Sequence, residues 1–304
     1  MTTQAVEVVR PAPVTLSGRI VRWTGKTPVH LALIAIAVIW LVPTVGLLIT
    51  SFRPRPDIAS SGWWETFGNL NFTLDNYQNV LTNQGMKSSF LNSFFISVPS
   101  TLIPLAVGAL AAFAFSWIRF PFRDTIFLII VALMVVPAQM ILVPVLTMFQ
   151  DLGNTFTGRK DLFTGSFLGI WIVHTTFALP FAIFLLRNFF ITLPRDLIEA
   201  ARVDGASNLH IFAKVVLPLS VPVLASFAIF QFLWVWNDLL MALIFVQEPD
   251  NRPLTLRISE VQSTYGVEWH LLSAGAFVLM AVPLAVFFSL QRYFVQGLLA
   301  GSVK

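Results

Sequence analysis

No cysteine occurs in the 304 residues, which removes disulfides, thiolate metal sites and cysteine nucleophiles together. The four histidines are scattered, without the spacing that a zinc site needs. Charge is scarce too: 11% of residues are Asp, Glu, Lys or Arg against 56% hydrophobic, and the mean hydropathy is +0.78. A soluble domain carries about 25% charge, so an ordinary soluble fold is excluded. There is no G-x-x-x-x-G-K-[ST] run, hence no phosphate-cradling loop of that type. The net charge is +4 with a pI near 9.8, but the basic residues are interspersed between apolar runs instead of forming a stripe. That distribution argues against a nucleic-acid partner and reports membrane topology instead.

Long apolar runs are what the sequence has in abundance. Six fall at 29–50, 90–117, 125–149, 166–190, 219–246 and 271–294, each long enough to cross ~30 Å of hydrocarbon at about 1.5 Å per residue. The expected fold class is therefore an all-α membrane protein of six spans. Pro99, Pro104, Pro137, Pro144 and Pro283 interrupt these runs, and inside a bundle they predict kinks rather than breaks. The segments before span 1, between spans 2 and 3, between spans 4 and 5, and after Gln291 hold, with Arg187 at the end of span 4, 12 Lys/Arg against five acids. The alternate loops hold seven against nine. This bias predicts both termini in the cytoplasm. The resulting division is a cytoplasmic segment 1–28, a transmembrane domain 29–294 and a cytoplasmic tail 295–304. No A-x-A site follows the first apolar run, so it reads as a retained anchor. Residues 11–26 are expected to form a short surface helix and residues 1–12 a frayed tail.

The loop 193–218 between spans 4 and 5 is the most informative stretch. Pro194 favours a helix start, Asp196 suits the first turn, and the Arg195/Glu199 and Glu199/Arg202 spacings support a helix through Val203. Gly205 then ends it, and a second short helix, 208–216, follows Asn208 as its expected cap. Pro218 and Pro222 open the next span. The product is a helix, turn, helix across the membrane surface, in which Ala200 and Ala201 form a small-residue face that a partner can approach closely. A solvated hairpin with no partner satisfies the same pattern. In span 5, FLWVWNDLL (232–240) places Asp238 about 12 Å below the outer end by helix rise. A carboxylate there costs about 2.5 to 3.5 kcal/mol or more unless it faces a cavity, a partner or a hydrogen-bond network.

Glu199, Ala200, Ala201, Gly205, Ile211, Leu217 and Pro218 resemble the E-A-A, G, I, L-P signature of permease subunits of binding-protein-dependent ABC importers. The resemblance extends to the maltose-type, sugar-importing branch through FTLDNYQNVL (72–81), LNSFFIS (91–97), AAFAFSWIRFPFRD (111–124), VPAQMILVPV (136–145) and the tail QRYFVQGLLAGSVK (291–304). SFRPRPDIASSGWW (51–64) and GLLAGSVK look closest to the α-glucoside or glucosylglycerol subgroup. Phe113 departs from the usual Tyr of the A-A-Y-A-F run, which bears on packing.

That resemblance implies a type I importer permease fold in which the hairpin is a coupling helix. Glu199, Ala200, Ala201, Asp204 and Gly205 would contact a cytoplasmic ATPase subunit, with Ile211, Leu217 and Pro218 completing the motif. The implied assembly contains a second permease, two ATPase subunits holding ATP and Mg, an extracytoplasmic sugar-binding protein and membrane lipid. This chain would then be non-catalytic, bind no cofactor itself and reside in the bacterial inner membrane, with 297–304 reaching toward the ATPases and 247–270 toward the binding protein. For sugar handling, Trp234 or Trp236 can stack on a sugar face while Asn237 and Asp238 bond hydroxyls, and Gln139 is a second polar candidate. Structural roles compete at each: helix pinning by Asn237 and Asp238, packing by the tryptophans, an interhelical bond by Gln139. His174 reads as a satisfied buried histidine. The alternatives are a proton-coupled carrier with Asp238 as its relay and an ABC permease for another small solute.

Overall fold

The computed structural model describes residues 16–68, 70–82, 86–264 and 268–300, without the side chains of 16–26, 261–264 and 292–300. The expected frayed tail 1–12 and the last residues, 301–304, lie outside that set. Helices follow one another as α1 (Leu16–Ser51), α2 (Arg55–Ser60), α3 (Asp75–Thr82), α4 (Met86–Trp117), α5 (Arg123–Leu133), α6 (Ala138–Thr157) and α7 (Phe167–Phe190). There follow α8 (Arg195–Val203), α9 (Asn208–Ile211), α10 (Leu217–Leu219), α11 (Val221–Trp236), α12 (Leu240–Phe245), α13 (Leu254–Thr264) and α14 (Trp269–Ala300). Four segments are long and apolar enough to cross a membrane: Thr27–Ser51, Met86–Trp117, Phe167–Phe190 and Trp269–Gln291. Two bent pairs raise the number to six if each counts as one span. From Leu16 onward the segment expected as a separate surface helix is continuous with span 1 in α1.

The expectation of kinks rather than breaks fails in span 3. Helices α5 and α6 meet at 101°, because the chain leaves the helix in a series of tight turns: the amides of Met134, Val135 and Val136 donate to carbonyls only three residues back. Pro137 has no N–H to continue the ladder and disfavours helical geometry at Val136. It sits extended at ψ 126° as the cap of α6. By contrast Pro99, Pro104, Pro144, Pro180 and Pro283 lie within continuous helices. The stretch read as span 5 is also divided. It begins at a 78° bend between 208–219 and α11 and breaks at 237–239 before α12.

The centre is the packing of α4 on α7. Lipid is as apolar as a leucine side chain, so helices in a membrane are held by close fit and interhelical hydrogen bonds. Gly108 supplies the fit: a Cβ there would lie 2.7 Å from the Cβ of Ala182. Bonds include the Gln231 side-chain amide to the Ser100 carbonyl at 3.2 Å and the Trp171 indole N–H to the Phe95 carbonyl at 2.8 Å. The α1 segment is almost unpacked: Trp40 is 77% exposed, and most of its leucines and isoleucines are exposed too.

One end of the bundle is capped by a polar lattice. The buried Arg53 guanidinium donates to the carbonyls of Asp57 and Ser61, and the Asn76 amide donates to those of Ser51 and Arg53. Helix α13 lies at this end. Asn92 donates to the carbonyls of Asp250 and Arg252, the Leu254 N–H donates to Ser93 Oγ at 2.9 Å, and Glu260 pairs with Arg252 and Arg257.

Candidate functional site

The hairpin between α7 and α11 is anchored at its base and bare at its tip. Helix α8 ends in two bonds: the Ala206 N–H reaches back to the Ala201 carbonyl and the Gly205 N–H to that of Arg202, each at 3.0 Å. This Schellman pairing places the residue after the cap in the left-handed region, and Gly205 has φ +81° with no atom within 4 Å of a notional Cβ. Its glycine therefore serves the turn rather than a close approach within the chain. The next helix is capped by Ser207, whose Oγ accepts from the His210 N–H, and not by Asn208 as expected. That helix runs on as a π turn over Phe212–Val216 into α10.

Ile198, Ile211, Phe212 and Val216 are buried and cluster with Ala109, Ala112, Phe113, Leu186 and Phe190. Ile211 is thus a root of the hairpin. Phe113 meets Phe212 at 5.4 Å between ring centroids, which gives the departure from Tyr a packing role. Outward, Glu199, Ala200, Asp204, Gly205 and Pro218 are exposed, with Ala201 and Leu217 partly so. Val203 is 88% exposed and Leu209 69%. The two ion pairs anticipated within α8 do not form. Arg202 instead donates to the Trp117 carbonyl at 2.9 Å, which leaves the Glu199 carboxylate without an ion-pair partner among the described residues.

The second locus is the break between α11 and α12. Asp238 lies in that break rather than inside a helix as expected: its Oδ2 accepts from the Ala242 N–H at 3.1 Å and caps α12. The same oxygen lies 3.9 Å from Nε2 of His174, a buried nitrogen with no hydrogen-bond partner. His174 is therefore not satisfied in the way its burial suggested. Asp238 also accepts at its carbonyl from Thr255 Oγ1 of α13, at 2.9 Å. One residue so joins α7, the span 5 break and α13, beside a small cavity that Ser93 and Ser97 help to line.

The remaining residues of this locus separate. Trp236 is buried, its indole N–H donating to the Leu279 carbonyl at 3.0 Å while its rings meet Phe90, Phe94 and Phe232. Trp234 is 72% exposed. Asn237 is exposed and bonds the Leu233 carbonyl, and Gln139 is exposed at the start of α6. Sequence reasoning passed over Asn92, Ser93 and Thr255, which fix α13; the only signal was that Asn92 and Ser93 begin a polar interruption in an apolar run. Among the described residues no group of acidic or histidine side chains could hold a metal ion.

Comparison with known proteins gives consistent relatives. Residues 88–300 match the family model described as "Binding-protein-dependent transport system inner membrane component". The osmoprotective compounds uptake permease protein of Synechocystis sp. is 51% identical over 284 residues, which cover 92% of each chain. The alpha-glucoside transport system permease protein of Rhizobium meliloti is 38% identical, covering 91% of this chain and 96% of its own. Among solved structures, a chain of a bacterial ABC transporter involved in the import of the acidic polysaccharide alginate has a TM-score of 0.71 at 23% identity, over 94% of this chain and all of that one. That likeness shows a shared fold.

Proposed function

The chain belongs to the family of binding-protein-dependent transport system inner membrane components, the permeases of ATP-driven importers, and on that premise we propose that it forms half of a sugar translocation path. The cargo class is an α-glucoside or a related osmoprotective compound, in keeping with the names of the Rhizobium and Synechocystis relatives. The other half of the path is a second, non-identical permease. Two ATPase subunits carry the nucleotide chemistry and this chain carries none. The protein lies in the bacterial inner membrane with both termini inside, which puts the α8–α10 hairpin on the cytoplasmic side and α13 outside, facing a solute-binding protein. Six spans cross the membrane, with α5–α6 and α11–α12 each as one broken span.

The observation that carries this reading is the hairpin. Its root is locked into the bundle by Ile198, Ile211 and Phe212, while Glu199, Ala200, Asp204 and Gly205 stand exposed at its tip. A rigid projection of that kind transmits motion when its partner changes shape, provided the partner binds the two states of the bundle differently. Glu199 supplies an acceptor for a charge-assisted bond from a basic ATPase residue. Ala200 and Ala201 allow close approach.

The path side is proposed at the α11–α12 break, where Trp234 offers a ring face and Asn237 and Asp238 offer polar groups, with Gln139 at the α5–α6 turn. Trp236 supports that surface from behind. The test is ATP-dependent uptake of labelled α-glucosides and glucosylglycerol by proteoliposomes holding the co-purified assembly. Uptake should persist when a protonophore collapses the proton gradient and stop when ATP is withdrawn. The reverse pattern would favour the proton-coupled alternative built on Asp238.

A further inference from the structure

Four arginines from four elements converge on the five-residue turn between α4 and α5. Arg119 lies in the turn and Arg123 opens α5. Arg187 of α7 approaches the Asp124 carboxylate at 3.9 Å, and Arg202 of α8 is bonded to the Trp117 carbonyl at the end of α4. Asp124 also pairs with Arg123 at 3.1 Å, so this one carboxylate at the start of α5 serves two cations. Arg187 lies over the Phe127 ring at 4.1 Å. Arg119 is exposed and has no hydrogen bond or ion pair among the described residues. The net charge at this corner is strongly positive.

The turn also holds an exposed aromatic in an unusual conformation. Phe122 has φ 58° and is the one non-glycine residue with positive φ among those described. Its ring is 78% exposed. Arg119, Phe120, Phe122, Arg123, Asp124 and Thr125 line a shallow concavity of about 440 Å³. Basic groups beside an exposed ring, where two apolar helices begin and end, match the boundary between headgroups and acyl chains. A turn of five residues stays at that boundary. The α8–α10 hairpin, in contrast, is long enough to project.

We propose that this corner, centred on Arg119 and Arg123, binds the phosphodiester headgroup of an anionic glycerophospholipid, with Phe122 against its acyl region. A lone inorganic phosphate shares the headgroup chemistry but not the acyl contact. The site is independent of which solute is carried.

Native mass spectrometry of the full chain, with the subunits that accompany it, after release from nanodiscs of equal phosphatidylglycerol and phosphatidylcholine, tests the proposal. Phosphatidylglycerol should be retained over phosphatidylcholine. Arg119→Gln with Arg123→Gln should lower that retention by about 25-fold, at roughly fivefold per arginine, without changing phosphatidylcholine retention. Millimolar inorganic phosphate should not displace the lipid. Arg119→Gln alone provides the same readout if the double variant is unstable. Equal retention of the two lipids, unchanged retention in the variants, or displacement by free phosphate overturns the assignment. So does loss of a co-purifying subunit in place of lipid, which would identify the corner as a protein contact.

Discussion

Glu199 and Asp238 are both carboxylates in or near the membrane, and their surroundings give them opposite tasks. Glu199 is exposed and has no ion-pair partner among the described residues, so removing it should cost the fold little; the role proposed for it is a contact outside the chain. Glu199→Lys should leave the thermal midpoint unchanged while weakening ATPase association by about 10- to 100-fold, the equivalent of about 1.5 to 3 kcal/mol for a bond to a charged group. Pull-down of the ATPase at graded concentration reads this directly. Asp238 is committed inside the chain through the Ala242 amide. Asp238→Ala should lower stability by about 0.5 to 2 kcal/mol for the lost cap, and Asp238→Asn, which retains an acceptor oxygen, should recover most of it. If the variants melt alike, the capping role is wrong. Trp234→Ala is expected to leave melting unchanged, since the ring is 72% exposed, and to reduce uptake. Unaltered uptake would remove Trp234 from the path.

At the scale of elements, helix contact is governed by small residues. Gly108→Val places a branched side chain where even a Cβ would be 2.7 Å from Ala182, and α4 and α7 must separate. A loss of about 1 to 3 kcal/mol is expected, read as a lower melting point in detergent; an unchanged midpoint would contradict the packing. Gly205→Ala meets no neighbour, so its cost is the left-handed backbone alone, about 1 kcal/mol. Spans 2, 4 and 6 were legible in the sequence because an apolar run of span length, even one holding a proline, fits a single continuous helix. Prolines were less informative. Pro99, Pro104 and Pro283 lie inside helices whereas Pro137 caps the start of α6 after a run of tight turns, a difference that the residue type alone does not encode. The break at 237–239 contains no proline. It depends on Asp238 capping α12 and on Thr255, 17 residues away, a contact visible only in three dimensions. The hairpin was legible through Pro194, Gly205 and its helical spacings, while its cap moved by one residue because Ser207 and Asn208 are both good capping types.

Across the whole molecule, the two candidate loci belong to one continuous body. The hairpin root shares α4 and α7 with the core, and the same α7 carries His174 to within 3.9 Å of Asp238. The hairpin is thus linked to the α11–α12 break through packed helices rather than through a loop. The exposed apolar flank of α1 offers a surface for lipid or for the second permease proposed above.

On the proposed function the hairpin tip meets an ATPase, and a cross-link there is the direct test. The chain has no cysteine, so Val203→Cys, at a residue 88% exposed, introduces a unique thiol for a short photoactivatable cross-linker in native membranes. The account predicts capture of a protein bearing a G-x-x-x-x-G-K-[ST] segment, in a membrane preparation that imports the solute on ATP. Import without any such cross-link, or labelling of the introduced thiol by a membrane-impermeant reagent applied from outside intact cells, would contradict it.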